Sequence, residues 1–258
     1  MDHLIWIGVA AFLASGITFF SGFGLGTILL PVFALFLPIE MAVVATAIVH
    51  FLNNLFKIML VGRNASWHFV LRFGVPAILA ALVGAWLLGQ MIDLRPIHSY
   101  MIGERLIQIT PLKLVIGGLL FIFAWFDLLP RLRELSFPPR YVPIGGLLSG
   151  FFGGLSGHQG ALRSAFLIKT GLSKEAFIAT GVVIAVMIDL ARLIVYSETV
   201  IGADGSTVST PVIVATLSAF AGAYLGNKLL RKITIKALQI IVGAMLLLFS
   251  VAMMVGVI

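Results

Sequence analysis

Almost the whole chain is a succession of long apolar runs separated by short polar joins. In hydrocarbon no water satisfies a backbone N–H or C=O, so such runs must close their hydrogen bonds internally, as helices. About twenty apolar residues cross the hydrocarbon core. Eight apolar segments are read, at about 4–37, 40–61, 68–90, 112–130, 141–168, 175–196, 209–227 and 235–257. The expected fold is an all-α, polytopic integral membrane protein of the cell (inner) membrane, with no sizeable soluble domain. Composition agrees: 60% of the 258 residues are hydrophobic, 10% are charged, and the mean hydropathy is +1.14. A soluble domain is about a quarter charged.

The first run is longer than a signal-peptide core and lacks a basic start or a small-residue cleavage site, so it reads as mature structure. The formal net charge of +7 lies mostly in short joins, as the positive-inside rule expects, and does not suggest nucleic-acid binding. The chain has no cysteine, which excludes disulfides and thiolate metal sites. The longest join, 91–111, is mildly amphipathic and suits the membrane surface.

Segments one and five differ from the rest. Each runs to 28 residues or more and is punctuated by glycine, in the first with Gly16, Gly22, Gly24, Gly26 and Pro31, in the fifth with seven glycines from Gly145 to Gly160. Glycine costs about 1 kcal/mol in a helix interior relative to alanine. Part of this glycine forms small-x-x-x-small pairs that let helices approach, namely Gly22/Gly26, Gly146/Gly150 and Gly153/Gly157. Pairing does not account for the segment lengths, so both segments are expected to be interrupted or re-entrant.

At a shift of 134 the two halves match without gaps: Leu13, Ser15, Gly16 and Gly26 fall on Leu147, Ser149, Gly150 and Gly160. Ala42, Ala45 and Thr46 fall on Ala176, Ala179 and Thr180, and further on Gly84-Ala85 parallels Gly222-Ala223. The reading is a duplicated four-segment unit, 1–130 and 131–258. Internal repeats are common in secondary transporters, whose substrate sites lie on interrupted helices at the repeat interface. If all eight segments cross, the Lys and Arg near segment ends divide nine to seven between the two sides. If segments one and five return to the side they entered from, the division is twelve to four, with Arg95, Arg105, Lys113 and Arg192 as the four. The positive-inside rule favours the second arrangement. It inverts the halves and leaves both termini outside the cytoplasm.

The openings of the halves read "SGITFFSGFGLGTILLPVFALFLPIEMAVVATAIVHF" and "GGLLSGFFGGLSGHQGALRSAFLIKTGLSKEAFIATGVVIA". This paired layout resembles the sulfite exporter TauE/SafE family, in which each half opens with a Gly-rich, often Pro-containing membrane segment followed by an "A-x-x-A-T" type stretch. Here that stretch is Ala42–Thr46 and Ala176–Thr180. The likeness covers nearly the whole chain. It implies a transporter of sulfite, sulfonates and related small organic anions. "GHQGALRS" stands where a run of small residues and a proline is commoner in the family, which leaves the particular anion open.

Arg163 carries the strongest single signal, because a charge at mid-bilayer costs at least about 2.5–3.5 kcal/mol. If helix resumes after Gly157, then Ser156, Gln159 and Arg163 share one face, with His158 beside it. Backbone N–H groups at broken helices, here around Gly157, Gly160, Gly24 and Gly26, favour an anion. A guanidinium fork binds sulfite, sulfonate or carboxylate oxygens at two points. The alternatives are that Arg163 snorkels to the interface or pairs with Asp189. In "MIDLAR" Asp189 and Arg192 stand at i, i+3 and are neighbours able to pair. Asp189 is otherwise available to neutralise Arg163 or to carry a proton. Thr46, His50, Asn53, Asn54 and Lys57 form a polar stripe along one apolar span, read as helix–helix glue or as the wall of a transport path. His50 and His158 titrate near neutral pH in water, which makes either a candidate for proton coupling.

No metal site or cofactor is expected, since there is no H-x-x-x-H and no carboxylate cluster. "GLSGHQG" misses the serine-hydrolase spacing at Ser156. Without a nucleotide-binding motif, an ion or substrate gradient is the expected energy source. The functional expectation is a secondary transporter of a small anion, seated in lipid, with homo-oligomerisation open. An anion channel and a membrane-embedded enzyme are the alternatives.

Overall fold

The computed structural model describes residues 2–19, 24–202, 205–229 and 235–258. Gly22 lies outside the described residues, as do Arg231 and Lys232, two of the twelve basic residues of the charge count. In chain order the helices are α1 (Asp2–Ile17), α2 (Leu25–Ala34), α3 (Ile39–Val61), α4 (Trp67–Ile92), α5 (Pro111–Leu128), the short α6 (Pro130–Arg133), α7 (Val142–Ser156), α8 (Gly160–Leu167), α9 (Lys174–Gly202), α10 (Gly205–Leu229) and α11 (Ile235–Met254). Two strands, β1 (His98–Ile102) and β2 (Arg105–Ile109), lie between α4 and α5. Among the described residues, five stretches are long and apolar enough to cross a membrane: Ile39–Asn64, Trp67–Ile92, Pro111–Leu128, Lys174–Ser197 and Ser209–Lys228.

The distribution of side chains is that of a protein solvated by lipid. Large apolar groups such as Ile5, Leu79, Ile194, Leu217 and Leu248 face outward, while Asn53, Lys57, Arg163, Asp189 and Arg192 are buried. A soluble protein would not tolerate so much exposed apolar surface.

The join at 91–111 departs from a simple amphipathic surface stretch. It contains an antiparallel hairpin pairing His98 with Ile109 and Ile102 with Arg105. Gly103, at φ 59, supplies the positive backbone angle the two-residue turn needs. The hairpin stands over the end of α11, where Tyr100 donates to the Val255 carbonyl at 2.6 Å and Lys113 Nζ to the Gly256 carbonyl at 3.0 Å. Helix α5 then starts on a built cap: Thr110 Oγ1 accepts from the Lys113 N–H at 3.2 Å, and Pro111 occupies the first turn.

Two helix pairs approach backbone to backbone. On α7, a Cβ placed on Gly146, Gly150 or Gly154 would lie 2.2, 2.2 or 2.1 Å from the carbonyl oxygen of Phe73, Ala77 or Ala81 on α4. On α10, a Cβ on Gly222 would lie 2.1 Å from the Phe12 carbonyl of α1. The packing ridge of α7 is therefore Gly146/Gly150/Gly154. Gly153 and Gly157 do not serve as such a pair: Gly153 faces Gln159 and Ile188, and Gly157 ends the helix. Overpacking a tight contact costs about 1–3 kcal/mol. Gly150→Val is expected to lower the thermal stability of the detergent-solubilised protein by at least that much, measured by unfolding; unchanged stability would mean the two backbones are not in contact.

Helix α1 packs against α2, and α7 against α8. Gly157 ends α7 with φ 82, and a Cβ on Gly145, near the start of α7, would lie 2.3 Å from Phe166, near the end of α8. Phe137 N–H also donates to the Ala165 carbonyl at 3.0 Å. Gly24 precedes α2 with φ 116, and the rings of His3 and Phe36, at the far ends of α1 and α2, lie 5.9 Å apart.

Candidate functional site

The start of α2 and the end of α7 lie next to each other. A Cβ on Gly26, in the first turn of α2, would meet the Gly157 carbonyl oxygen at 3.7 Å, the His50 ring at 3.6 Å and Thr46 at 3.8 Å. Helices α3 and α9 pass beside this junction and bring their polar residues to it.

Asp189 of α9, fully buried, is the hub. His50 Nδ1 lies 2.6 Å from Asp189 Oδ2, so the ring N–H donates to the carboxylate. Asp189 Oδ1 receives Gln159 Nε2 at 3.0 Å and Arg192 Nε at 3.0 Å, with Arg192 Nη2 at 2.8 Å. Gln159, the residue before α8, then accepts from Arg163 Nη1 through Oε1 at 3.1 Å. A relay thus runs His50–Asp189–Gln159–Arg163. Arg163 Nε also lies against α9, 3.3 Å from where a Cβ on Gly181 would stand. Ser149 on α7 fixes the break by donating to the Gln159 carbonyl at 2.8 Å.

The electrostatic balance is unequal. Lys57, Arg163 and Arg192 are buried around this junction, and among the described residues the carboxylate beside them is Asp189, which pairs with Arg192. Several buried donors lack an acceptor among the described residues: Arg192 Nη1, Asn53 Nδ2 and the Thr46 hydroxyl. Arg192 Nη1 points at the left-handed Gly157, 2.8 Å from where its Cβ would be. An unpaired buried donor costs about 1–3 kcal/mol. A small anion would supply the missing negative charge and the missing acceptors.

A sequence model of the family described as sulfite exporter TauE/SafE matches residues 7–253. The chain belongs to the TauE/SafE family. No curated protein and no solved structure matches it. The family is one of exporters of sulfite, and with the apolar helices above it makes the chain a multi-pass cell-membrane transport protein.

Within this TauE/SafE protein the candidate residues fall into distinct positions. His50, Gln159, Arg163, Asp189 and Arg192 form one connected network. Gly24 and Gly26 lie at the start of α2, Gly157 at the end of α7 and Gly160 at the start of α8. Asn53 accepts from Ser15 at 3.0 Å and ties α3 to α1, the glue role. Asn54 donates to the His50 carbonyl at 2.9 Å. Asp189 pairs with Arg192 and reaches Arg163 through Gln159. Ser156 does not share the face of Gln159 and Arg163. The left-handed turn at Gly157 puts it on the other helix, where it donates to the Phe152 carbonyl at 3.1 Å and meets His158 Nδ1 at 3.1 Å. His158 stacks on Phe123 of α5, with ring centroids 5.3 Å apart.

Tyr196 was missing from the sequence reading. Its hydroxyl donates to the Gly154 carbonyl and fixes the end of α7 beside Arg192. Asp189, Arg192 and Tyr196 stand at i, i+3, i+7, a helical stripe that spacing alone could have exposed.

Proposed function

We propose that the chain is a secondary carrier that moves a small oxyanion, sulfite or an organosulfonate, through a site at the junction of the two interrupted segments. The observation that carries this reading is the surplus of buried positive charge there: among the described residues, three basic side chains stand around one pairing carboxylate, with Arg192 Nη1 unpaired. Gln159 and Arg163 hold the anion, and the guanidinium offers two parallel donors to two oxygens. His50 and Asp189, in direct contact, exchange the proton that couples uptake or export to the pH gradient.

The carrier reading includes two related, inverted halves. Reciprocal packing supports it: α1 lies along α10 as α7 lies along α4, and Gly222 and Gly84 each press on a carbonyl of the partner helix, Phe12 and Phe151. The fold-back of both glycine-broken stretches supports the re-entrant topology, with three full crossings in each half. Relative movement of the halves would then expose the junction to either side in turn.

Reconstituted liposomes test the reading. Flux of sulfite and methanesulfonate is expected to saturate with concentration and to respond to an imposed pH gradient. Unitary currents that do not saturate would instead establish a channel. Chemical conversion of the anion by the purified protein would establish an enzyme.

A further inference from the structure

Lys57 lies outside the hydrogen-bonded network around Asp189. It stands seven residues beyond His50, about 10 Å further along α3. It is 5% exposed, and its ammonium meets no acceptor among the described residues. The ammonium stands over the ring of Phe19, 5.4 Å from the ring centre. Lys57 opens onto a cleft lined by Thr18, Phe19, Leu25, His50, Asn54 and Val182. The cleft begins at the start of α2, whose N-terminal end favours negative charge. It ends at Val182, next to Gly181, against which Arg163 Nε rests. The cleft and the Arg163 contact therefore fall on consecutive residues of α9.

We infer that Lys57 is a second anion station, which receives the substrate on its way to or from Arg163. This rests on the carrier reading above. The ligand class is a small singly charged oxyanion bearing an –SO3 group. One ammonium balances one charge, and its three N–H bonds can each reach an oxygen. The apolar walls of Phe19, Leu25 and Val182 accommodate a short carbon arm, so methanesulfonate is one probe, and sulfite in its singly charged hydrogen-sulfite form is the armless second. The cleft holds about 10 Å³ in this conformation, room for about one water, so the station fills only when the helices part. An unpaired buried lysine is costly to keep, and a ligand that visits it gives a reason for its presence.

The chain has no cysteine, so Thr18→Cys places one thiol in the cleft. In membranes that thiol is reacted with an anionic and a cationic methanethiosulfonate of similar size. The anionic reagent is expected to react faster, and adding Lys57→Gln should lower the anionic-to-cationic rate ratio about tenfold or more. Lys57→Arg should preserve the ratio. In liposomes Lys57→Gln is expected to raise KM for both anions about tenfold, with a larger effect for methanesulfonate if the apolar walls take its arm. Removing a lone buried charge does not unpair another, so this variant is expected to fold. An unchanged rate ratio, or failure of both reagents to reach the thiol, overturns the Lys57 station. If Arg163→Ala is inactive while Lys57→Gln keeps the wild-type ratio and KM, this inference falls and the Arg163 site stands. If Arg163→Ala transports normally, the carrier site itself falls.

Discussion

Arg163→Ala is expected to reduce sulfite flux in liposomes by about 100-fold or more. The estimate follows from geometry and burial. Arg163 is 3% exposed and held in place by Gln159 and by the bare backbone at Gly181. Truncating one member of a buried, hydrogen-bonded charge contact costs about 2–5 kcal/mol, and about 1.4 kcal/mol is a factor of ten. The variant also strands Gln159 Oε1, which loses its donor. Arg163→Lys should recover part of the flux, since it keeps the charge and loses the two-point fork. Gly181→Val is a companion test that leaves the arginine in the sequence. Its side chain would enter the space beside Nε and should displace the guanidinium, so reduced flux with a normal elution profile is expected. Normal transport by Arg163→Ala would remove the basis for an anion site at this junction.

The second large effect is expected on stability. Asp189 receives donors from three side chains, His50, Gln159 and Arg192. Asp189→Asn keeps the shape and removes the charge that balances Arg192. Breaking a buried pair by removing one partner typically costs about 3–5 kcal/mol. The asparagine variant is thus expected to unfold at markedly lower temperature or denaturant than wild type. His50→Gln should lose much less, because it removes a donor and leaves the Asp189–Arg192 pair intact. In the fraction of Asp189→Asn protein that remains folded, a pH gradient should no longer drive accumulation, while anion exchange at equal pH persists. Equal stability of Asp189→Asn and wild type would show that the carboxylate does not organise the junction.

Much of the architecture was legible because lipid imposes a strict rule on backbone and side chains alike. Apolar runs of sufficient length read as helices, and the stripe from Thr46 to Lys57 read as an inward face because every member would be costly in hydrocarbon. The pair Asp189–Arg192 was visible because three residues bring side chains together on a helix. The contact that organises the site was not visible: His50 and Asp189 are 139 residues apart in the chain. Only packing of α3 on α9 brings them together. The misplacement of Ser156 has a local cause, since one left-handed glycine rotates everything before it away from everything after it. The hairpin was hidden in a mixed polar and apolar join, although Gly103 between two runs of Tyr, Met, Leu and Ile was a turn signal. The glycine spacing in α7 offered two overlapping ridges, and the choice between them depended on where α4 lies. The same holds for the register of the proposed halves. The shift of 134 sets α3 over α9, whereas the backbone contacts at Phe12 and Phe151 lie 139 residues apart.

The central claim is that a small anion is held at the junction of the two interrupted segments by Arg163 and its neighbours. Calorimetric titration of the purified, detergent-solubilised protein with methanesulfonate tests it most directly, with wild type and Arg163→Gln compared at the same pH and ionic strength. The account predicts a saturable binding isotherm for wild type and none for a folded Arg163→Gln. Binding of equal affinity to both proteins would contradict it.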